Sequence, residues 1–169
     1  MDTQQRRSAI VECLKTAGAP MPGNTLARRF GVSRQVIVQD ISVLRAAGYP
    51  ILATAQGYLW APQASRPRKV VAVRHTPEQT RDELERLVRA GVTVVDVIVE
   101  HPIYGEVTGQ LQHRSLADVD AFMRQLEATG ARLLSELTDG VHLHTLEADD
   151  PAALAEAERA LREAGYLID

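Results

Sequence analysis

The chain has 169 residues and a formal net charge of −3, which is enough length for two small domains that each bury a core. Its single cysteine, Cys13, excludes an intramolecular disulfide and favours a reducing, cytoplasmic setting. No stretch has the apolar length needed to span a bilayer, and Met1 to Arg7 is not followed by a secretory apolar core, so we expect a soluble cytoplasmic protein with no membrane partner.

The first 30 residues or so predict two helices. The segment from about Thr3 to Ala17 carries Ile10, Val11 and Leu14 as an apolar stripe at helical spacing. A second helix is expected from roughly Asn24, a capping residue, to Phe30. Gly31 follows and suits the tight turn of a helix-turn-helix motif, so a third helix is expected immediately afterwards.

The third helix is predicted to have one buried and one polar face. Ser33 is a natural N-cap, and Ile37, Ile41 and Leu44 recur at helical spacing on the inward side, with Asp40 near them. The opposite side carries side chains that donate to base edges and phosphates. We expect Gln35 and Gln39 to contact adenine edges, Arg34 and Ser33 to contact backbone or guanine, and the remaining DNA contacts to come from Ser42, Arg28, Arg29 and Gln56.

A short hairpin follows the third helix. Tyr49 to Leu52 and Tyr58 to Trp60 are apolar segments joined through Thr54, Gln56 and Gly57, which predicts the wing of a winged helix. The plainer alternative is an ordinary three-helix protein whose Gln and Arg residues only keep the surface soluble. Because the turn, the cap, the polar face and the wing agree, we favour a module that binds double-stranded DNA.

Charge is distributed unevenly along the chain, which supports a division into domains. Residues 1–69 contain 10 Lys and Arg against 3 Asp and Glu, whereas residues 70–169 contain 9 against 19. A basic part joined to an acidic part indicates that only the first contacts a polyanion. Prolines and basic residues near position 65 are typical of a linker. We therefore expect a DNA-binding domain at 1–62, a linker at 63–69 and a second domain at 70–169.

The second domain alternates strands and helices. Strands are expected at Lys69 to Val73, Val92 to Val99, about Glu106 to His113, and Val141 to Glu147. Helices are expected from Thr76, with Gln79 completing a capping box, to Ala90, from Ser115 to Ala128, and from Asp150 to near Gly165. The resulting order β-α-β-β-α-β-α predicts an α+β fold, a small ferredoxin-like sandwich.

The histidines of this domain are its chemically distinctive residues. His142 and His144 are two residues apart on a predicted strand, so their side chains leave the same face. His75 ends another strand, and Glu83 reaches the same place only if its helix packs over the sheet. Three nitrogens and one oxygen suit Zn, Ni, Co or Fe(II) without choosing among them. On spacing alone, a solvated pair on a polar strand face is an equal alternative, and His113 is expected to be exposed on its strand.

Three segments resemble a known family. SRQVIVQDISVLRAAGYPI in the N-terminal part, DVIVEHPIYGEVTGQL at 96–111 and GVHLHTLEA at 140–148 closely resemble the niacin-responsive repressors of NAD biosynthesis genes. Those proteins join a winged helix to a domain named for its three histidines. The likeness spans essentially the whole chain, and the EHPIYGE and GVHLHT segments are unusual sequences.

The resemblance implies one divalent transition metal per chain, bound by His75, Glu83, His142 and His144. It also implies that His101 of the EHPIYGE turn lies beside that metal, where nicotinic acid or nicotinamide binds as corepressor; Tyr104 of the same turn is the second candidate for effector binding. The plainer alternatives are a solvated turn histidine and a core aromatic that closes the hairpin. Homodimer formation is expected because winged-helix repressors read paired half-sites.

Two other functions compete with this one. A metal-dependent enzyme that acts on a small pyridine uses similar ligands, with Asp96, Glu100 or Glu106 as acid or base. Against it, the sequence contains no nucleophile elbow, phosphate loop or dinucleotide fingerprint, so we expect no enzymatic activity. The other alternative is a transcription regulator that senses the metal itself and needs no organic effector.

Overall fold

The computed structural model describes residues 1–62 and 66–169. The chain divides after residue 64 into two compact units. The first three residues of the expected 63–69 linker lie outside the described residues. Its last two residues, Arg68 and Lys69, already belong to the first strand of the second unit, which therefore begins earlier than residue 70.

The N-terminal unit is a winged helix. Its helices are α1 (Thr3–Ala17), α2 (Gly23–Phe30) and α3 (Arg34–Ala46), and its strands are β1 (Ile51–Thr54) and β2 (Gly57–Trp60). The expected bounds of α1 are confirmed. The expected start of α2 at a capping Asn24 is wrong, because Pro22 precedes the helix and no side chain caps it. The unit's core is formed by residues that include Ile10, Leu14, Leu26, Ile37, Ile41, Leu44 and Ile51.

The wing is fixed to the helices by backbone pairing. Met21, between α1 and α2, exchanges two hydrogen bonds of 2.8 Å with Tyr58 of β2. Gly57 has φ +126°, and a Cβ there would lie 2.5 Å from the carbonyl carbon of Met21. Because no L side chain fits this backbone or this space, Gly57 sets where the hairpin meets the helices.

The orientation of α3 depends on its caps and on one buried carboxylate. The Ser33 hydroxyl accepts from the N–H of Val36, and Ile37, Ile41 and Leu44 are buried as expected. Asp40 is 1% exposed and pairs with Arg6 at 2.6 Å and with Arg7 at 3.0 Å, both on α1. Burial alone raises the pKa of Asp40, but the hydrogen bonds and charges of these arginines outweigh it and hold that pKa below its usual value.

The C-terminal unit contains four strands and three helices within residues 66–169. The strands are β3 (Arg68–Arg74), β4 (Thr93–His101), β5 (Gly105–His113) and β6 (Val141–Glu147). The helices are α4 (Thr80–Arg89), α5 (Leu116–Thr129) and α6 (Pro151–Ala164). Two 3₁₀ turns, Pro77–Gln79 and Leu134–Thr138, precede α4 and β6, and the sequence did not predict the second. The α+β class and the order of elements are confirmed.

The sheet has the strand order β3-β6-β4-β5, with every neighbouring pair antiparallel. The parallel strands β3 and β4, joined through α4, are therefore separated by β6, which is the split βαβ arrangement. The two middle strands of this sheet, β6 and β4, are the fourth and the second of the unit in chain order. A ferredoxin sheet has its first and third strands in the middle, so the expected likeness holds for class and layering and not for strand order.

This order places β6 against β3, with Val73 opposite His142 and Val71 opposite His144. Helix α4 contacts α5, α6 and β4, and its side chains Leu84 and Leu87 are buried. The segment that follows β3 and the first turns of α4 therefore lie over the same sheet face as the two histidines. Among the described residues no helix combines the length and apolar character needed to cross a bilayer.

Replacing Asp40 with Asn tests the pairing that sets α3. The variant removes the negative charge that accepts three hydrogen bonds, two from Arg6 and one from Arg7, and we expect the N-terminal unit to be less stable by about 2 kcal/mol at neutral pH. A lowered pKa means that this contribution is present above about pH 4 and is lost as the pH falls through the pKa of the folded state. The measurement is urea unfolding followed by the fluorescence of Trp60, the only tryptophan in the chain.

The matched control is Glu12→Gln, since Glu12 is 72% exposed and lies 3.8 Å from Lys15. We expect its unfolding midpoint to equal that of the parent. A stability difference between Asp40→Asn and the parent that stays constant down to pH 2 would contradict the assignment to the ionised carboxylate.

Candidate metal centre and nucleic-acid face

The polar face expected on α3 is exposed in the structure. Ser33, Arg34, Gln35, Gln39 and Ser42 are all exposed, and so are Arg28 and Arg29 on α2. Gln56 is half-buried in the two-residue turn between β1 and β2. The hydroxyl of Ser42 donates to the carbonyl of Val38 at 2.7 Å, so it reaches a base only by changing that bond. The contacts of all these side chains with DNA remain predictions.

His75, Glu83, His142 and His144 meet in one buried cluster, the three-histidine cluster. Glu83 is 1% exposed, and the three histidines are 2–7% exposed. The Nε2 atoms of His75 and His142 lie 3.0 and 3.3 Å from Glu83 Oε2. His144 Nε2 lies 2.9 Å from Glu83 Oε1. The condition set by the sequence, that the helix of Glu83 packs over the sheet, is met by α4.

The other ring nitrogen of each histidine is held by a backbone carbonyl. The Nδ1 atoms of His75, His142 and His144 lie 2.7, 2.8 and 2.6 Å from the carbonyl oxygens of Thr76, Gly140 and Asp96. A carbonyl oxygen accepts only, so each Nδ1 carries the proton. In the neutral rings each Nε2 therefore presents a lone pair toward Glu83. Histidines that bind a metal through one ring nitrogen usually donate the N–H of the other to a carbonyl or carboxylate in the same way.

Lone pairs and a carboxylate cannot satisfy one another without a proton or a cation between them. Nε2 of His75 and Oε2 of Glu83 are buried, and neither has a hydrogen-bond partner of acceptable geometry among the described residues, although they are only 3.0 Å apart. One nitrogen from each of His75 and His142 and one oxygen from Glu83 lie within 4.8 Å of one another. The donor set therefore fits a divalent transition metal.

Glu83 and the histidines around it shift one another's pKa values. Burial alone raises the pKa of Glu83, but the charge of His144 and the close approach of the three imidazoles outweigh it and hold that pKa well below its usual value. Burial alone lowers the pKa of His144 and of His75, yet the Glu83 carboxylate raises both above the ordinary histidine value. The site thus attracts positive charge, whether protons or a metal ion.

Two further residues shape this cluster: Gly140, which the sequence analysis did not single out, and Asp96, which it considered only as an acid or base of the enzyme alternative. Gly140 has φ +90°, and a Cβ there would lie 2.2 Å from the carbonyl oxygen of His75. Only glycine allows this approach, and its carbonyl then accepts from His142. The Asp96 carboxylate accepts from the N–H of Thr145 at 2.8 Å while its backbone carbonyl holds His144. In the sequence, the glycine that begins GVHLHT is the feature that could have indicated the close approach of Gly140 to His75.

His101 and Tyr104 lie at the turn between β4 and β5, outside the cluster. His101 Nδ1 accepts from the N–H groups of Ile103 at 3.0 Å and Tyr104 at 3.2 Å, so its proton is on Nε2. Tyr104 is 76% exposed, so it is not a core aromatic. Among the described residues, the last pair that joins β4 to β6 toward this turn is Ile98 with Leu143, three residues before His101. Their role in effector binding stays a prediction.

His113 is buried, so the expectation of an exposed strand residue is wrong. It is 0% exposed and packs edge-on against Phe122 of α5, with ring centroids 4.9 Å apart. The preceding Gln112 has φ +56°, which breaks the alternation of the strand and turns His113 inward. Burial lowers the pKa of His113 to about 4, so the ring is neutral at physiological pH.

A cavity of about 430 Å³ adjoins the three-histidine cluster. Its walls come from segments 74–79 and 135–140, and His75 belongs to both the cavity and the cluster. Neither His101 nor Tyr104 is among the lining residues. The cavity falls within the size range of small-molecule sites.

Comparison with known proteins gives two family matches. A model described as an HTH domain matches residues 6–59, and one described as a 3H domain matches residues 68–169. The chain is 46% identical over 167 residues to the transcription repressor NadR of Bacillus subtilis, covering 96% of this chain and 93% of that protein. It is 44% identical over 166 residues to the probable transcription repressor NiaR of Thermotoga maritima, covering 98% and 95%.

Proposed function

The chain belongs to the transcription repressors that join an HTH domain to a 3H domain, and from this membership we propose that it represses genes of NAD biosynthesis or niacin uptake, with nicotinic acid or nicotinamide as corepressor bound near a divalent metal. The part of this proposal that concerns metal and effector binding rests on one observation: three imidazole Nε2 atoms converge on one buried carboxylate. The family membership supports a regulator of transcription and no enzymatic activity.

The N-terminal unit supplies the DNA contacts. Helix α3 enters the major groove, where Gln35 and Gln39 are long enough to pair with adenine edges and Arg34 with guanine or phosphate. Arg28 and Arg29 on α2, together with the wing turn at Gln56, contact phosphates and fix the position of α3 on the duplex. The C-terminal unit, with its excess of acidic residues, stays away from the polyanion.

The three-histidine cluster holds one divalent metal, and Ni, Zn, Co or Fe(II) all suit its nitrogen and oxygen donors. His75, His142 and His144 bind through Nε2 and Glu83 through its carboxylate. When bound, the metal supplies a fixed positive centre to which a pyridine nitrogen or a carboxylate is attracted. The chain's part is to keep the imidazoles in the tautomer that binds metal and to exclude water from the carboxylate.

Effector binding controls DNA binding through the arrangement of two chains. A homodimer presents two copies of α3 to half-sites about 34 Å apart, or a multiple of that distance. A ligand needs a differential affinity of about 1–3 kcal/mol between the competent and incompetent arrangements to change operator occupancy roughly tenfold. The contacts within one small site provide this difference in affinity, so a corepressor the size of a vitamin is sufficient to control DNA binding.

Substitutions on α3 and α2 separate base reading from phosphate binding. We expect Gln39→Ala to change the preferred operator sequence at one position, with a loss of about 1–3 kcal/mol for the original base pair. Arg29→Ala should weaken binding to all sequences about equally and reduce the salt dependence by about one ion equivalent. The measurement is operator titration at several salt concentrations.

The control for this pair is Arg124→Ala on α5, whose side chain is 77% exposed in the acidic unit. It removes the same charge as Arg29→Ala, and its operator affinity and salt slope should match the parent. If Gln39→Ala and Arg29→Ala both behave like the parent, α2 and α3 do not form the interface.

Calorimetric titration of nicotinate and nicotinamide, with and without divalent metal, tests the effector. We expect binding only to metal-loaded protein. His101→Asn keeps an acceptor for the N–H groups of Ile103 and Tyr104 and loses the Nε2 donor, whereas His101→Gln keeps a donor near Nε2 and loses the turn acceptor. If His101 contacts the effector directly, Asn weakens binding about tenfold and Gln much less.

The same titration distinguishes the competing functions. Operator binding that follows metal concentration and ignores both pyridines would replace the corepressor with metal sensing. Chemical conversion of either pyridine during incubation would revive the enzyme alternative. Binding of a pyridine to metal-free protein with unchanged affinity would remove the metal from the effector site.

A further inference from the structure

The two faces of the C-terminal sheet differ in how far they are covered. Val71 and Val73, on the face of the three-histidine cluster, are 4% and 0% exposed. Lys69 belongs to the same alternation of β3 and pairs with Glu158, so α6 lies over this face as well. Val70 alternates to the other face and is 55% exposed. The helices and the metal ligands therefore share one face, and side chains on the opposite face reach solvent.

The opposite face, which we call the open face, has an apolar centre formed by Val70, Ala72, Ile98, Val141 and Leu143. Leu143 lies between His142 and His144 in β6, so its side chain points away from the three-histidine cluster. Ala72 and Ile98 lie opposite Leu143 on the two neighbouring strands, and all three are half-buried. Val141 is 39% exposed. A contiguous apolar surface of this kind is typical of an interaction site.

Charged residues of opposite sign lie on the two sides of this centre. Arg74, the last residue of β3, is exposed and opposite Val141. Glu100 of β4 and Glu106 of β5 are exposed and lie opposite each other, two residues beyond Ile98. Because β3 and β4 run parallel, Arg74 and the two glutamates lie toward the same end of the sheet.

These three charges are not compensated by the C-terminal unit itself. Within residues 1–62 and 66–169, the side chains of Arg74, Glu100 and Glu106 form no ion pair and no hydrogen bond. Two carboxylates directly opposite each other on neighbouring strands repel. A cation supplied from outside this sheet therefore relieves that repulsion, and an anion supplied from outside pairs with Arg74.

We propose that the open face is the homodimer interface and packs against the open face of a second copy of the chain. Two sheets that pack face to face keep their strands nearly aligned. A two-fold axis parallel to the strands places β3 of one copy over β5 of the other and brings corresponding strand ends together. Arg74 of each copy then meets the Glu100–Glu106 pair of the other. This inference rests on the homodimer of the proposed function and supplies the surface that forms it.

The charge pattern favours a second copy over an unrelated protein. One cation on the β3 side and two carboxylates on the β4–β5 side become complementary to themselves after the two-fold rotation, which forms two equal sets of ion pairs. Strand β6 carries His142 and His144 on one face and Leu143 on the other. In this dimer the two three-histidine clusters therefore lie on the outer sides of the paired sheets, each one strand thickness from the interface.

Charge reversal across the interface tests the proposal in the full-length chain, with sedimentation velocity over a series of concentrations as the measurement. Arg74→Glu and Glu106→Arg should each raise the dissociation constant of the dimer about tenfold or more, because each places like charges against one another. The double variant should recover most of the affinity. The two residues lie on opposite edge strands of one sheet, about 14 Å apart, so the recovery does not come from a pair within one chain.

The control is Arg132→Glu, which makes the same charge change at an exposed position between α5 and the 3₁₀ turn, outside the sheet. It should dimerise like the parent. Unchanged dimer affinity in both single variants, or no recovery in the double variant, would overturn the open face as the interface and leave the proposed function intact. A parent chain that stays monomeric, alone and on operator DNA, would overturn this interface together with the paired half-sites, while the pyridine titrations test the corepressor separately.

Discussion

The C-terminal unit is organised around one carboxylate that faces three imidazoles. Glu83 joins α4 to the end of β3 through His75 and to β6 through His142 and His144, so a single side chain fixes three elements. A carboxylate that is 1% exposed requires nearby positive charge, because an isolated buried anion is very costly. The carbonyls that hold each Nδ1 determine that the imidazoles meet this requirement through Nε2, and the same orientation creates the candidate metal centre.

Strand β6 connects that centre with the start of the unit. His142 and His144 lie in its first half, and Glu147 ends it. The Glu147 carboxylate binds Arg66 at 2.9 Å and Arg68 at 2.8 Å, and both residues lie within the segment 63–69 that was expected to be a linker. In the other unit, Asp40 and its two arginines fix α3, which carries the polar face. Both units thus use a buried carboxylate to position the element on which the proposed function depends.

Local patterns in the sequence predicted most of the secondary structure and the chemistry of the cluster. The bounds of α1 and β6, the Ser33 cap and the common face of His142 and His144 follow from periodicities that involve few residues. Glu83 was predicted only conditionally, because its position depends on how α4 packs. Strand order, the bulge that buries His113 and the cavity lined by segments 74–79 and 135–140 depend on contacts between distant segments, for which one sequence contains no signal. The family resemblance supplied the ligand set that spacing left undecided.

The central claim is that three imidazoles bind one metal through Nε2 while each Nδ1 keeps its proton. Proton NMR of Co²⁺-loaded protein tests it most directly, since Co²⁺ suits the same donors and shifts the signals of its ligands far outside the normal range. We expect three strongly shifted N–H signals that disappear in D₂O, and two such signals in His75→Ala. Cobalt binding with no exchangeable shifted signal, or no cobalt binding at this site, would contradict the account.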